Sequence, residues 1–156
     1  MSVIKFDKWK FTDGSTPETL VNIQHSDWIN YSGDRYDSFD GMYMLPHKMK
    51  YTPKAVGNVL LIRATDQHRS TSGYGMQYGL RINGRAVTEN SYDMQDFFYK
   101  GELTNHHLDL MAQVWVNVSG LQELEIQPAM FTWAGGGELS YAYGQHCITV
   151  MEFQGS

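Results

Sequence analysis

One short segment, His106-His107-Leu108-Asp109, has the residue types and spacing of a metal-ligand pair. Residues two apart share a face of a β-strand, so the side chains of His107 and Asp109 would point the same way. Imidazole and carboxylate groups both bind zinc. The further histidine and glutamate that a jelly-roll metalloenzyme needs do not follow at a suitable spacing. We therefore expect a surface segment entering a strand and no resident metal, with a metal at His107 and Asp109 as the alternative.

Nucleophilic chemistry has little support in the residue pattern. The sequence contains no Gly-x-Ser-x-Gly motif, and the single cysteine, Cys147, lies in an apolar stretch where a thiol stays protonated. The glycines between Gly73 and Gly79 miss the spacing of a dinucleotide-binding motif by one residue and precede a strand pattern rather than a helix. We predict that the protein is not an enzyme, with no catalytic residues and no cofactor.

Charge and composition exclude several other classes. The 156 residues carry 12 basic and 17 acidic side chains, a net charge of −5, which disfavours binding to nucleic acid or to an anionic membrane. A lone cysteine cannot form an internal disulfide. Residues 1–10 lack the apolar segment of a signal peptide, and no apolar run is long enough to span a bilayer. We expect a soluble protein made in a cytoplasm.

Alternation with a period of two dominates the chain and predicts β-structure. The longest example runs from Leu108 to Val118, where aliphatic residues occupy every second position. The dipeptide Asn83-Gly84 separates two strand patterns, and it favours the positive φ angles of a type I′ turn. A β-hairpin is therefore predicted there.

The remaining pattern predicts an all-β fold. Residues Gly57 to Thr65 include the continuous apolar run Val59–Ile62, which is typical of a central core strand, so we expect truncation of Leu61 to cost about 2–5 kcal/mol. A polar loop is expected at Gly33–Asp40, and one short helix at Ser91–Tyr99 remains open. Four short strands are expected near the end of the chain, at Leu121–Gln127, Ala129–Trp133, Leu139–Tyr143 and Cys147–Phe153.

Together these elements predict an antiparallel β-sandwich, jelly-roll-like, with about eight to ten strands and at most one helix. No linker divides the sequence, so residues 1–156 are expected to form one domain, with residues 1–11 as a candidate arm that contacts a neighbouring subunit. Aromatic side chains in this segment and beside glycine-rich loops are candidate interface residues. They are Trp9, Phe11, Trp133, Tyr141 and Tyr143.

Three segments resemble the β-sandwich virion proteins of tailed bacteriophages, especially those of cyanobacterial and marine hosts. They are Tyr51–Ile62, with a Tyr-Thr-Pro-Lys start before the core strand, Leu80–Gly84, and the closing strand Cys147–Phe153. The resemblance covers roughly residues 51–87 and 147–153 and implies no active-site residue. In the physical interpretation, Pro53 extends the chain before the strand and Glu152 is an outward residue of the last strand.

The resemblance implies a structural role in the virion. The first expectation is a capsid decoration or cement protein that contacts capsid or tail proteins, assembles as a homotrimer and stabilises the shell through many weak contacts. The alternative is a short tail fibre or receptor-binding protein whose loops contact host glycans. In both cases the protein would be made in the host cytoplasm and end in the virion.

Overall fold

A computed structural model describes residues 20–26, 29–30, 36–70, 76–86, 96–98, 106–140 and 145–155 of the chain. These residues form β-strands and no helix. The strands are β1 (Leu20–His25), β2 (Ile29–Asn30), β3 (Tyr36–Met44), β4 (Met49–Tyr51), β5 (Val59–Ser70), β6 (Met76–Ile82), β7 (Arg85–Ala86), β8 (Asp96–Phe98), β9 (His106–Asn117), β10 (Leu124–Ser140) and β11 (Gln145–Phe153).

The strands form two groups in which every pairing is antiparallel. In the first sheet the order is β1-β11-β5-β9, and β2 continues along β11. In the second sheet β10 pairs with β3 and β4 on one edge and with β6 on the other, and β6 then pairs with β7 and β8. Leu139 and Ser140 of β10 also pair with β5, which joins the two sheets at one end.

This connectivity is that of a jelly roll. Strands β3 and β4 occupy one position in the second sheet, strands β7 and β8 another, and β1 and β2 share an edge of β11. When each of these three pairs is counted as one strand, the described strands fill eight positions, numbered 1 to 8 along the chain. The first sheet then has the order 1-8-3-6 and the second the order 2-7-4-5. Two interlocking Greek keys give this arrangement. The predicted antiparallel sandwich is confirmed.

The core lies between the inner faces of the two sheets. The strand predicted at Gly57–Thr65 is confirmed as β5, whose residues Leu60 and Ile62 are fully buried. Leu61 is only partly buried, because alternation turns it to the outer face, so its expected place in the core is wrong. The other fully buried large side chains come from both sheets: Leu45, Tyr51, Tyr78, Leu80, Ile126, Met130 and Ile148.

The predicted hairpin is confirmed at the end of β6. Asn83 has φ of 51° and Gly84 has φ of 72°, both in the left-handed region that a type I′ turn requires. The Asn83 side-chain oxygen also accepts a 2.8 Å hydrogen bond from the backbone N–H of Glu125, and the backbone N–H of Asn83 donates to the Glu125 carbonyl at 2.8 Å. The turn is therefore fastened to β10 as well as closing β6 onto β7.

One expectation for local structure is wrong, and one open possibility is settled for the described residues. The polar stretch expected as a loop at Gly33–Asp40 enters β3 at Tyr36, because pairing with β10 outweighs its polar composition. Within Ser91–Tyr99, where a short helix is an open possibility, the described residues Asp96–Phe98 form strand β8, which pairs with β6. The rest of that segment lies outside the described residues.

Strand β10 is continuous over the region where several short strands were expected. Pro128 lies inside it, at the point where the partner on one edge changes from β4 to β3. The Pro128 carbonyl accepts a 2.9 Å hydrogen bond from the N–H of Leu45 on that edge. Because N–H and C=O of one strand residue point to the same side, the donor that proline lacks would face the gap between β3 and β4.

The glycine run Gly135–Gly137 does not end a strand either. It coincides with a register shift between Thr132 and Gly137 in the pairing of β10 with β3, which marks a bulge.

The expected arm at residues 1–11 lies outside the described residues. In the part of the chain that is described, no helix is long and apolar enough to cross a membrane.

Candidate functional site

Four polar side chains meet inside the sandwich, where apolar residues would be expected. Asp66 continues the inward series of β5, and His146 continues that of β11. His47 lies in the connection between β3 and β4, and Tyr78 lies on β6. All four are buried, with Asp66 1% exposed and His146 fully inaccessible. We call these four residues the Asp66 cluster; it draws on both sheets.

Asp66 is the centre of this cluster. One carboxylate oxygen, Oδ2, accepts a hydrogen bond from the Tyr78 hydroxyl. The other, Oδ1, lies 2.5 Å from Nδ1 of His146 and 3.1 Å from Nε2 of His47. The two imidazole rings have centroids 5.2 Å apart and are tilted by 44°. One oxygen of Asp66 therefore faces both rings while Tyr78 holds the other.

His47 is buried with unsatisfied hydrogen-bonding capacity. His47 is 3% exposed, and neither of its ring nitrogens makes a hydrogen bond with any residue within the described ranges. The 3.1 Å approach of Nε2 to Asp66 lacks hydrogen-bond alignment. Since an unsatisfied buried polar group costs about 1–3 kcal/mol, an additional polar or ionic partner would stabilise this ring.

The donor atoms of His47, Asp66 and His146 lie within 4.8 Å of one another. Two imidazoles and one carboxylate are ligand types that bind Zn²⁺ and related divalent ions. This is a different set of residues from the pair His107 and Asp109 that the sequence suggested.

A second buried carboxylate, Glu152, ties the loop after β4 to the last strand. Glu152 is fully inaccessible, so the expectation that it faces outward is wrong. It accepts hydrogen bonds from the Tyr51 hydroxyl at 2.5 Å, from Nδ2 of Asn58 at 2.6 Å, and from the backbone N–H of Lys54 at 2.8 Å. The Tyr51 oxygen in turn accepts a 3.2 Å bond from Asn22 on β1. These bonds satisfy a carboxylate that burial would otherwise make costly.

The same contacts shift the pKa values of Glu152 and Tyr51. Burial alone would raise the pKa of Glu152, but the hydrogen bonds from Tyr51, Asn58 and the loop amides outweigh it and lower that pKa below the ordinary 4.5. Burial, together with the hydrogen bond to Glu152, raises the pKa of Tyr51 to about 12. At neutral pH Glu152 is therefore ionised and Tyr51 is a neutral donor.

The outer side of the first sheet is unusually apolar. Trp115, Leu61, Met151 and Ile23 face one another in register across β9, β5, β11 and β1. The next row includes Val59, Phe153 and Leu20, and the Trp115 and Phe153 rings lie 5.7 Å apart. We call these seven residues the apolar face. Trp115 is 54% exposed and Ile23 is 47% exposed, although both are large apolar side chains.

The outer side of the second sheet has a different character. Two ion pairs cross it, Lys48 to Glu125 at 2.9 Å and Lys50 to Glu123 at 2.7 Å. These four side chains are well exposed. A sheet with one solvated side usually shows such polar residues on it, so the contrast sets the apolar face apart.

The structure tests none of the five predicted interface residues. Trp9, Phe11, Tyr141 and Tyr143 lie outside the described residues, and Trp133 lies on β10 with a side chain that is not among those described. The candidate metal pair lies on β9, where His107 pairs with Arg69 and Asp109 pairs with Gln67. Their side chains also lie outside the described part.

Sequence reasoning missed His47, Asp66, His146 and the apolar face. Asp66 and His146 are 80 residues apart, and no local motif connects them. A signal was nevertheless present. Counting by twos from Leu60 along β5 reaches Asp66, and counting back by twos from Val150 reaches His146, so both polar residues fall at core positions.

Comparisons with known proteins identify no family. No family model matches the chain, and no curated protein matches it. It is similar in fold to chains in the structures of infectious bursal disease virus Gt strain, with a TM-score of 0.49 and 12% identity, and Gx strain, with a TM-score of 0.40 and 11% identity. These overlaps cover 100% and 99% of this chain but only 43% and 42% of the viral-structure chains. Because the TM-scores and sequence identities are this low, the two similarities give no information about the function of this chain.

Proposed function

We propose that the protein is a structural protein of a tailed-phage virion, a capsid decoration or cement protein that binds the shell through the apolar face. The jelly-roll fold alone leaves the function open, because the same architecture builds viral capsid domains, lectins and enzymes. The sequence resemblance of residues 51–87 and 147–153 to phage virion proteins supports a structural role in the virion. The apolar face supports a role in assembly.

The apolar face is the observation that carries the proposal. It spans four neighbouring strands, and its row of Trp115, Leu61, Met151 and Ile23 is continuous in the pairing register. Contiguous apolar surface on a soluble domain marks a site of protein contact, and tryptophan and methionine are enriched in such contacts. Polar side chains border this row, including Arg63 and Gln113, as the rim of an interface requires.

The two outer sides of the sandwich suggest an orientation. The ion-paired side with Lys48, Lys50, Glu123 and Glu125 suits contact with water, since exposed pairs of this kind remain hydrated. Binding through the apolar face would place this polar side outward from the shell. Association as a homotrimer over junctions between shell subunits is part of the proposal.

A non-catalytic role agrees with the burial of Asp66, His146 and Cys147 among the described residues. The Asp66 carboxylate and the His146 ring are enclosed between the sheets, so a substrate would have to separate core strands to reach them. Cys147 is also buried, as expected from its apolar surroundings. The proposal therefore assigns function to surface contacts.

The proposal is tested by sedimenting the purified protein with empty capsids of the phage that encodes it. We expect the wild-type chain to pellet with capsids, and Trp115→Asp to weaken binding by at least about tenfold, because a charge would be buried within the contact. Met42→Asp is the matched control, since Met42 is an exposed apolar residue on the opposite outer side.

Equal binding of the Trp115→Asp and wild-type proteins would remove the apolar face from the proposal. Failure of the wild-type protein to bind capsids would overturn the decoration role. Equilibrium sedimentation of the free chain tests the trimer separately, and a monomer at all concentrations would contradict self-association.

A further inference from the structure

We propose that His47, Asp66 and His146 bind one divalent transition-metal ion of the zinc class in the core of the sandwich. The site is independent of the virion proposal, because it depends only on the buried Asp66 cluster. It would link the connection between β3 and β4 to strands β5 and β11 of the first sheet. A metal would thus fasten the two layers from inside.

The unsatisfied ring of His47 is the main reason for the proposal. A neutral imidazole has one donor and one acceptor nitrogen, and neither nitrogen of His47 finds a hydrogen-bond partner among the described residues although the residue is 97% buried. A metal ion would use the Nε2 lone pair, the nitrogen that faces Asp66 at 3.1 Å. Coordination would therefore satisfy an atom that is otherwise buried without a bond.

Tyr78 prepares the carboxylate for this role. Its hydroxyl donates to Oδ2 of Asp66, which fixes the plane of the carboxylate and directs Oδ1 toward both histidines. Metal-ligating carboxylates are commonly oriented by such an outer hydrogen bond. Tyr78 is thus a positioning residue in the proposed site and Asp66 is a ligand.

The distances suit a small ion with nitrogen and oxygen ligands. Zinc binds histidine nitrogen and carboxylate oxygen at about 2.0–2.2 Å, which places neighbouring ligand atoms of a tetrahedral site roughly 3.4 Å apart. The 3.1 Å separation of His47 Nε2 and Asp66 Oδ1 is close to this value. The 2.5 Å contact of His146 Nδ1 with the same oxygen would open by a small movement of the ring when the ion binds.

The donor set selects the class of ion. Calcium and magnesium prefer sites built from oxygen ligands, whereas two imidazoles and one carboxylate favour Zn²⁺, Co²⁺ or Ni²⁺. A fourth ligand such as water would complete tetrahedral coordination. Because the three residues are enclosed in the core, the ion would stabilise the fold and have no access to substrate.

The first experiment measures metal bound by the full-length protein. After treatment with a chelator and its removal, the protein is titrated with Zn²⁺ against a coloured competitor and, separately, with Co²⁺ while visible absorption is recorded. We expect about one ion per chain and the intense absorption of tetrahedral Co²⁺. The melting temperature should rise when Zn²⁺ is added and fall again with chelator.

Variants assign the ion to the core. His47→Gln should lower the affinity by at least about tenfold, because it removes a ligand. Two controls should retain wild-type affinity: His25→Gln, which changes an exposed histidine on β1, and His107→Gln, which changes the alternative pair on β9. Circular dichroism establishes that each variant keeps the β-sheet spectrum.

A measurement on the wild-type protein keeps the test valid if His47→Gln fails to fold. X-ray absorption of the zinc-loaded chain should show two imidazole ligands with nitrogen and oxygen neighbours at about 2.0–2.2 Å. Absence of zinc binding to the wild-type chain would overturn the proposal. So would unchanged affinity in folded His47→Gln, or loss of the ion in His107→Gln, which would move the site to β9.

Discussion

The Tyr51 hydroxyl donates a 2.5 Å hydrogen bond to the carboxylate of Glu152, and this bond joins β4 in the second sheet to β11 in the first. Asn58 and the N–H of Lys54 donate to the same carboxylate, so a loop is fastened at the same point. Glu152 therefore connects two sheets and one loop through a buried charge. Hydrogen bonds to a charged group are stronger than those between neutral groups.

Replacing Glu152 should destabilise the fold strongly. Glu152→Gln keeps the size of the side chain but removes the charge and directs an amide N–H₂ at groups that are themselves donors. We expect the free energy of unfolding to fall by about 2–4 kcal/mol, measured by urea denaturation.

The matched control is Glu123→Gln, which removes an exposed carboxylate paired with Lys50. Its free energy of unfolding should stay within error of wild type, because exposed ion pairs contribute little. An equally small effect of Glu152→Gln would show that the buried carboxylate does not hold the sheets together.

The same pair predicts how stability depends on pH. The folded pKa of Glu152 lies below its ordinary 4.5, so its contribution is complete above that pH and is lost as the pH falls through the folded value. The pKa of Tyr51 is raised from 10.0 to about 12, so its contribution is complete below pH 10 and is lost as the pH rises toward 12.

Unfolding curves of wild type and Tyr51→Phe across this range check the prediction. The variant cannot ionise at residue 51, so it should lose less stability than wild type between pH 10 and 12. Its acid loss should also be smaller, because one donor to Glu152 is absent. Parallel pH profiles for the two proteins would contradict the assignment.

Truncations of adjacent residues on β5 should separate the core from the apolar face. Ile62 is fully buried, and Ile62→Ala should cost about 2–5 kcal/mol in unfolding free energy. Leu61 lies on the apolar face, and Leu61→Ala should cost less than half as much while weakening capsid binding. Thermal or urea unfolding measures the two losses of stability, and sedimentation with capsids measures the loss of binding. A larger loss of stability in Leu61→Ala than in Ile62→Ala would contradict the assignment of faces.

The turn after β6 gives a local test of backbone conformation. Gly84 has a φ of 72°, which is unfavourable for a residue with a side chain, although no atom lies near the position of an added Cβ. Gly84→Ala should therefore lower the free energy of unfolding by about 1 kcal/mol, measured by urea denaturation. Gly120→Ala does not serve as a control, because the Gln122 side chain crowds that site. A stabilised Gly84→Ala protein would contradict the turn type.

Much of the fold was accessible to sequence reasoning because period-two alternation and turn chemistry are local signals. The strand of Leu108–Val118 and the Asn83-Gly84 hairpin illustrate both. Pro128 could not be placed in this way, because its tolerance depends on a gap between β3 and β4 that exists only after the strands pair. The strand that begins at Tyr36 likewise depends on its distant partner β10.

The candidate sites were less accessible for a related reason. His47 and His146 lie far apart in sequence and meet at Asp66 only through the jelly-roll crossover. Glu152 was misplaced because alternation fixes which residues share a face but not which face is covered. The prediction for Leu61 fails for a different reason: the continuous apolar run Val59–Ile62 is typical of a strand covered on both faces, whereas the outer face of β5 is only partly covered.

The proposed role of the apolar face in holding this protein against a capsid is best tested by electron cryomicroscopy of capsids mixed with the purified chain. We expect regular density over three-fold or quasi-three-fold positions, with Trp115 and Leu61 turned toward the shell and Lys50 turned toward solvent. Absence of such density, or density in which Trp115 and Leu61 face solvent, would contradict it.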